Sequence, residues 1–158
     1  MTLTLLDRTV LRSIYEASIA TDSDWIYLEP MATASGMDRD KFFDIIAILE
    51  GQGFLERQDA TMIKPLPAGL IECENVLLPG GDASKTSDLI IRAIVRRGTG
   101  ATSIELSKEL GISNAVVAYL MHDLANGGNI IIHRTPPPPV LGYVVTEITA
   151  NGRRLAGA

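Results

Sequence analysis

A repeat at one fixed spacing is the feature of this 158-residue chain that most restricts its fold. Residues of matching character recur 75 positions apart (111 − 36 = 75), with no insertion between the matched positions. The pairs are Gly36 and Gly111, Asp38 and Ser113, Phe42 and Val117, Leu49 and Leu124, and Gly53 and Gly128. Because self-similarity at a constant period indicates duplicated structural units, the sequence predicts two copies of one small fold.

The clearest copy of the pattern runs from Gly111 to Ile130. It predicts a helix that is capped by Ser113, buries one apolar side and ends at Gly127 or Gly128 before a strand begins at Ile130. The buried positions would be Val117, Leu120 and Leu124, which recur at helical spacing. In the first copy, the corresponding helix spans residues 39–50 and is followed by strands at 54–57 and 61–64.

Each of these predicted helices is preceded by two others. A capping box at Thr4 and Asp7 opens a helix over residues 3–20, and short helices are predicted at 29–35 and 102–110. The second copy begins with a helix over 87–97. A Pro-Gly-Gly stretch marks a linker, so the predicted domains are 1–78 and 86–158, with 79–85 between them.

The pattern resembles the winged-helix superfamily, and the second copy is similar to the winged domain of MarR-type transcription regulators. The resemblance rests on the stretch just described and on a closing segment that resembles the strand and helix start after the wing. These residues are Leu106, Leu110, Gly111, Ile112, Ser113, Val117, Leu120, Leu124, Gly128, Ile130 and 145–155. The implied fold class is mainly α with small β-hairpins, arranged as two tandem winged helix-turn-helix domains.

The resemblance implies a non-enzymatic regulator whose C-terminal copy contacts duplex DNA. In such proteins the second helix of the helix-turn-helix enters the major groove with its outer side, and the wing sends an arginine to the minor groove. In this chain that helix is the one predicted to follow Ser113. The matching candidates here are Asn114, Tyr119, His122 and Arg134, and Arg153 and Arg154 could neutralise phosphates from the last helix.

A protein-interaction role is the alternative, because the outer side of the second helix carries Ala115, Val116 and Ala118 and has no lysine or arginine. Phe43 is a further candidate contact in the first copy. The tandem arrangement also looks like the segregation and condensation protein B family and the winged-helix subunits of ESCRT complexes, in which the fold serves assembly. A protein partner or a homodimer is therefore expected as well.

Charge separates the two copies. The first 75 residues contain six basic and thirteen acidic residues, whereas the remainder contains eight basic and six acidic residues. Since binding to nucleic acid needs clustered lysine and arginine, the second copy is the better candidate for it.

Other functional classes receive little support from the sequence. Two histidines and a single cysteine do not form a recognisable metal or catalytic set, so no cofactor, metal, small-molecule substrate or enzymatic activity is expected. The sequence contains no apolar run of the roughly 18 residues that a membrane span needs. A cytoplasmic location without membrane contact is expected.

Overall fold

The computed structural model of the chain describes residues 3–137 and 140–157. Helices dominate this part, and two small antiparallel sheets complete it. The order of helix, short helix, longer helix and hairpin occurs in the N-terminal half (residues 3–78) and again in the C-terminal half (residues 83–157). The predicted fold class, mainly α with small β-hairpins, is confirmed.

The N-terminal half begins with three helices, α1 (Leu5–Thr21), α2 (Leu28–Ser35) and α3 (Arg39–Gly51). The predicted capping box opens α1, because the Thr4 hydroxyl accepts from the Asp7 backbone N–H while the Asp7 carboxylate accepts from that of Thr4. The Asp38 side chain caps α3 by accepting from the Lys41 backbone N–H. Local capping thus sets the start of α1 and α3.

A three-stranded sheet and two short helices complete this half. Strands β1 (Ile26–Tyr27), β2 (Leu55–Asp59) and β3 (Met62–Pro65) pair in the order β1-β3-β2. The chain then continues into α4 (Pro67–Glu72) and α5 (Glu74–Leu77). Gly69 of α4 lies against the Tyr15 ring, so closely that an added Cβ would stand 2.7 Å from a ring carbon. The absence of a side chain at Gly69 is what allows α1 and α4 to approach.

The C-terminal half repeats this order in a simpler form. It contains α6 (Ala83–Arg97), α7 (Ser103–Leu110) and α8 (Asn114–Asn126), then a hairpin and the final helix α9 (Ala150–Leu155). The hairpin consists of β4 (Ile130–Arg134) and β5 (Tyr143–Ile148). The predicted caps of α7 and α8, Thr102 and Ser113, are present.

The connection between the halves is more ordered than the sequence predicts. A short 3-10 turn covers Pro79–Gly81, and α6 already begins at Ala83 because the Asp82 carboxylate accepts from the Lys85 backbone N–H at 3.1 Å. The predicted start of this helix at residue 87 was therefore too late, since Asp82 is its cap. In the second wing, Pro138 and Pro139 lie outside the described residues.

The two halves share one continuous hydrophobic core. It includes Ile14 and Tyr15 of α1 together with Val117 and Leu120 of α8, all of them fully buried. Burial of apolar surface is the main favourable contribution to folding, so the halves stabilise each other. Whether they are separate domains with the predicted boundaries stays a prediction.

Candidate nucleic-acid interface and the junction between the halves

Both sides of α8 are buried. One side packs on α6, α7 and β4 of its own half, as in a helix-turn-helix, while the other packs on α1 and α4 of the N-terminal half. The residues buried along α8 are Ala115, Val116, Val117, Ala118, Tyr119, Leu120, Met121 and Leu124. The predicted exposed apolar side of this helix is therefore an interface within the chain.

Polar groups at this junction pair across it. The Tyr119 hydroxyl lies 2.6 Å from the Ser18 hydroxyl. Since Ser18 donates its own proton to the Ser23 carbonyl, Tyr119 is the donor in that pair. The Asn114 amide donates to the Asp22 carboxylate at 2.8 Å and to the Leu141 carbonyl at 2.7 Å. Burial raises the pKa of Tyr119, so its hydroxyl stays protonated and able to donate.

The wing arginine is held at the same junction. Arg134 forms an ion pair with Asp24 at 2.7 Å, and the Asp24 side chain is only 1% exposed. The other end of the guanidinium donates to the Val140 carbonyl, and its carbon lies 5.6 Å from the centre of the Tyr143 ring. Both terminal nitrogens of the guanidinium, through which Arg134 would contact a phosphate or a base, are thus engaged within the chain.

These contacts correct the predicted DNA surface. Asn114, Tyr119 and Arg134 hydrogen-bond to the N-terminal half instead of facing solvent. Ala115, Val116 and Ala118 are at most 2% exposed, so they cannot reach another protein in this structure. The physical reason is that α1 and α4 cover the side of α8 that would enter a groove or meet a partner.

His122 lies at the edge of the junction. It is half-buried, and its ring centre is 5.8 Å from that of Tyr143. Burial, together with the positive charge of Lys64, lowers the pKa of His122. The neutral imidazole is thus favoured, and a cationic contact with phosphate through His122 is disfavoured.

The corresponding helix of the N-terminal half, α3, has an open outer side. Phe43 is half-buried because the Arg39 guanidinium lies 4.7 Å above its ring, and Arg39 also pairs with Glu29. The exposed residues of this side are Asp40, Lys41, Asp44 and Ala47. Phe43 is therefore available only in part for the protein contact predicted for it.

Ion pairs neutralise the arginines of the N-terminal half. Each of its four arginines pairs with a glutamate of the same half. The pairs are Arg8 with Glu72, Arg12 with Glu16, Arg39 with Glu29, and Arg57 with Glu50. These pairs leave the excess of acidic residues in this half unchanged, and its arginines are not free to contact a polyanion.

The C-terminal half keeps several cations outside ion pairs. Arg96 and Arg97 pair with Glu109, and Arg97 also pairs with Glu105. Within the described residues, the exposed cations of this half that form no ion pair are Lys85, Arg92, Lys108, Arg153 and Arg154. Arg153 and Arg154 are thus exposed, as a phosphate contact requires. Lys85 and Lys108 were not predicted as contacts from the sequence, because each is an isolated lysine.

Other sites of chemistry find little support in the geometry. A cleft of about 610 Å³ lies between α4, α6, α8 and α9, and its carboxylates are Glu74, Asp88 and Asp123. The Glu74 carboxylate already accepts from the Ala83 backbone N–H at 2.9 Å, at the start of α6. Across residues 3–137 and 140–157, no three histidine, cysteine or acidic side chains are grouped so that they could hold a metal ion. Over the same residues, no helix combines the length and apolar character that a membrane crossing requires.

Comparisons with known proteins give one structural likeness. A scan against protein-family models finds no match, and a search of curated proteins finds no similar sequence. Among solved structures, the chain is similar to the mRNA-binding domain of elongation factor SelB from E. coli, which was solved in complex with SECIS RNA. The identity is 9%, the match covers 89% of this chain and 98% of that one, and the TM-score is 0.35. At that identity and TM-score, no family membership follows.

Proposed function

We propose that this chain is a non-enzymatic nucleic-acid-binding protein whose C-terminal half contacts the phosphate backbone. The observation that carries the proposal is the distribution of unpaired cations, which lie on the outer surface of α6, α7 and α9. Phosphate contacts supply most of the affinity of non-specific nucleic-acid binding, and they need exposed lysine and arginine without competing carboxylates.

The outer side of α6 presents a stripe suited to this contact. Lys85, Leu89 and Arg92 follow one another at spacings of four and three residues, so they share one side of the helix, and all are exposed. Arg96, which pairs with Glu109, lies one turn further along the same side. At about 1.5 Å per residue, Lys85 and Arg96 are separated by about 16 Å along the axis. Helix α9 packs against α6 and adds Arg153 and Arg154 at its own surface.

The mode of binding differs from that of the DNA-reading winged helices. Because α1 and α4 cover the outer side of α8, that helix is not free to present side chains to base edges. Backbone contacts position a protein on a nucleic acid but do not read its sequence. We therefore expect little sequence preference from this half. We further propose that the ligand is duplex DNA and that the role is transcription regulation. The resemblance to MarR-type regulators supports both.

A salt series tests the proposal. Fluorescence anisotropy would follow binding of the full chain to a labelled random-sequence duplex and to an RNA hairpin of equal length. If Lys85, Arg92, Arg153 and Arg154 each neutralise one phosphate, the plot of log affinity against log salt should have a slope of about −3.6 for duplex DNA.

Variants locate the surface. The double variant Lys85→Glu and Arg92→Glu should at least halve that slope and weaken binding to every duplex sequence alike. Lys41→Glu is the matched control, because Lys41 is an exposed lysine of α3 in the acidic half, and it should leave binding unchanged. An undetectable interaction at low salt, or equal effects of the two variants, would contradict the proposal.

A second candidate function is protein assembly. The observation that favours it is the junction itself, in which the second helix of one winged unit docks on the outer surface of another. Its test is whether reversing the charges at Asp40 and Asp44, on the open side of α3, abolishes association with a defined protein partner while leaving duplex binding intact.

A further inference from the structure

The junction between the halves indicates where a second interface could form, because the repeat places a counterpart of each junction surface elsewhere in the chain. The two junction surfaces are the outer side of α8, with Ala115, Ala118 and Tyr119, and the surface formed by α1 and the short helix α4 that follows the first wing. The two surfaces occupy different positions in the repeated unit. The halves therefore pack head to tail, which leaves one surface of each kind unused in every chain.

The spacing of the repeat identifies the residues that correspond to each junction surface in the other half. At a spacing of 75 residues, Ala115, Ala118 and Tyr119 correspond to Asp40, Phe43 and Asp44 on α3. At a spacing of 83 residues (152 − 69 = 83), which aligns Gly69 with Gly152, helix α4 corresponds to α9. Asp40, Asp44, Arg153 and Arg154 are all exposed, so both counterpart surfaces are open to solvent.

The open surfaces have opposite charge. On α3, Asp40, Phe43, Asp44 and Ala47 share one side of the helix, at spacings of three, four and seven residues. Lys41 and the paired Arg39 lie on either flank of that side. Helix α9 presents Arg153, Arg154 and the half-exposed Leu155. Carboxylates and phenyl ring on one surface thus complement guanidinium groups and an aliphatic side chain on the other.

We propose that α3 of one copy of this chain docks on α9 of a second copy, in the manner of α8 on α4 within the chain. The internal junction is buried and largely apolar, whereas the counterpart surfaces are charged and make a reversible, salt-sensitive contact. Because the contact joins unlike surfaces, it forms head-to-tail assemblies, either open chains or closed rings. Self-association goes beyond nucleic-acid binding and competes with it only where both use Arg153 and Arg154.

Sedimentation velocity of the nuclease-treated full chain tests this inference. At about 50 mM salt the weight-average mass should rise with concentration, and at about 500 mM salt the chain should remain monomeric because exposed charges are screened. Mass independent of concentration at low salt would overturn the proposal.

Charge reversal identifies the two surfaces. Asp40→Lys with Asp44→Lys should make the chain monomeric at low salt, and Arg153→Glu with Arg154→Glu should do the same. Mixing the two double variants should restore association, because each α3 then meets an α9 of opposite charge. Failure of the mixture to associate would overturn the pairing of α3 with α9.

A matched control separates specific docking from net charge. Glu56→Lys with Glu147→Lys changes net charge by the same amount as the α3 variant and replaces two exposed carboxylates on strands β2 and β5. It should associate as the wild type does, and loss of association in it would also overturn the proposal. Far-UV circular dichroism and urea midpoints verify folding of each variant. Duplex binding by the α3 variant separates this proposal from nucleic-acid binding, because that variant should bind duplex at least as tightly as the wild type does.

Discussion

Removal of one carboxylate charge at Asp24 should destabilise both halves of the chain together. Asp24 is 1% exposed and pairs with Arg134 at 2.7 Å, across the junction. Asp24→Asn keeps the size of the side chain but leaves the guanidinium without its counter-charge. Breaking a buried ion pair in this way costs about 3–5 kcal/mol. Because the Arg134 side chain remains 19% exposed, we expect about 3 kcal/mol, at the lower end of that range.

A double variant separates two contributions to the loss of stability, namely the missing ion pair and the buried charge that is left without a partner. Asp24→Leu with Arg134→Met replaces both partners by apolar groups, an exchange that is often neutral or stabilising when the space is filled well. It should therefore retain more stability than Asp24→Asn alone. Glu16→Gln, which breaks the surface pair with Arg12, is the matched control and should cost less than about 1 kcal/mol.

Urea unfolding provides the measurement. Trp25 is the only tryptophan, adjoins Asp24 and is half-buried, so its fluorescence reports on the junction, while far-UV circular dichroism reports on all helices. The two signals should coincide in the wild type, because one core spans both halves. A loss below about 1 kcal/mol in Asp24→Asn, or two separate transitions in the wild type, would refute the reasoning.

Three further predictions concern single residues. Gly69→Ala should lower the free energy of unfolding by about 1–3 kcal/mol, as measured in urea, because its Cβ would stand 2.7 Å from a Tyr15 ring carbon; an unchanged midpoint would contradict the close packing. Burial lowers the pKa of His122 in the folded chain. As the pH falls through the ordinary histidine pKa of about 6.5, the unfolded chain therefore binds more protons than the folded chain. The free energy of unfolding should thus fall from pH 7.5 to pH 5.5, and it should fall less in His122→Gln. The Cys73 thiol is buried and its pKa is raised by that burial, so a thiol reagent should modify it slowly until urea unfolds the chain; rapid modification of the native chain would exclude that burial.

The elements of the fold were predictable because they depend on neighbouring residues. The boxes at Thr4 and Thr102 and the caps at Asp38 and Ser113 each act within three residues of the helix start, so the sequence shows both partners of each contact. Apolar spacing then identified the side of each helix that faces its own core. The start of α6 was missed because its cap, Asp82, lies in a Pro-Gly-Gly segment typical of a linker.

The junction could not be predicted from local pattern. Ser18 and Tyr119 are 101 positions apart, and Asp24 and Arg134 are 110 apart, so periodicity carries no information about their pairing. The sequence did signal that the outer side of α8 is unsuited to DNA, because alanine and valine occupy it. What it could not reveal is that the protein surface covering α8 belongs to the same chain.

The junction also gives the charge asymmetry of the sequence a structural meaning. Asp24 neutralises the wing arginine of the other half, and the glutamates of the N-terminal half neutralise its own arginines. The cations that remain unpaired in the described chain are therefore concentrated on the outer surface of the C-terminal half. A polyanion would be repelled by one half and attracted by the other, so it would approach in one orientation even though the net charge is −5. Because α1 and α4 cover α8, the candidate phosphate contacts lie on α6 and α9 instead of on α8. Helix α3 carries the acidic surface that we propose for self-association.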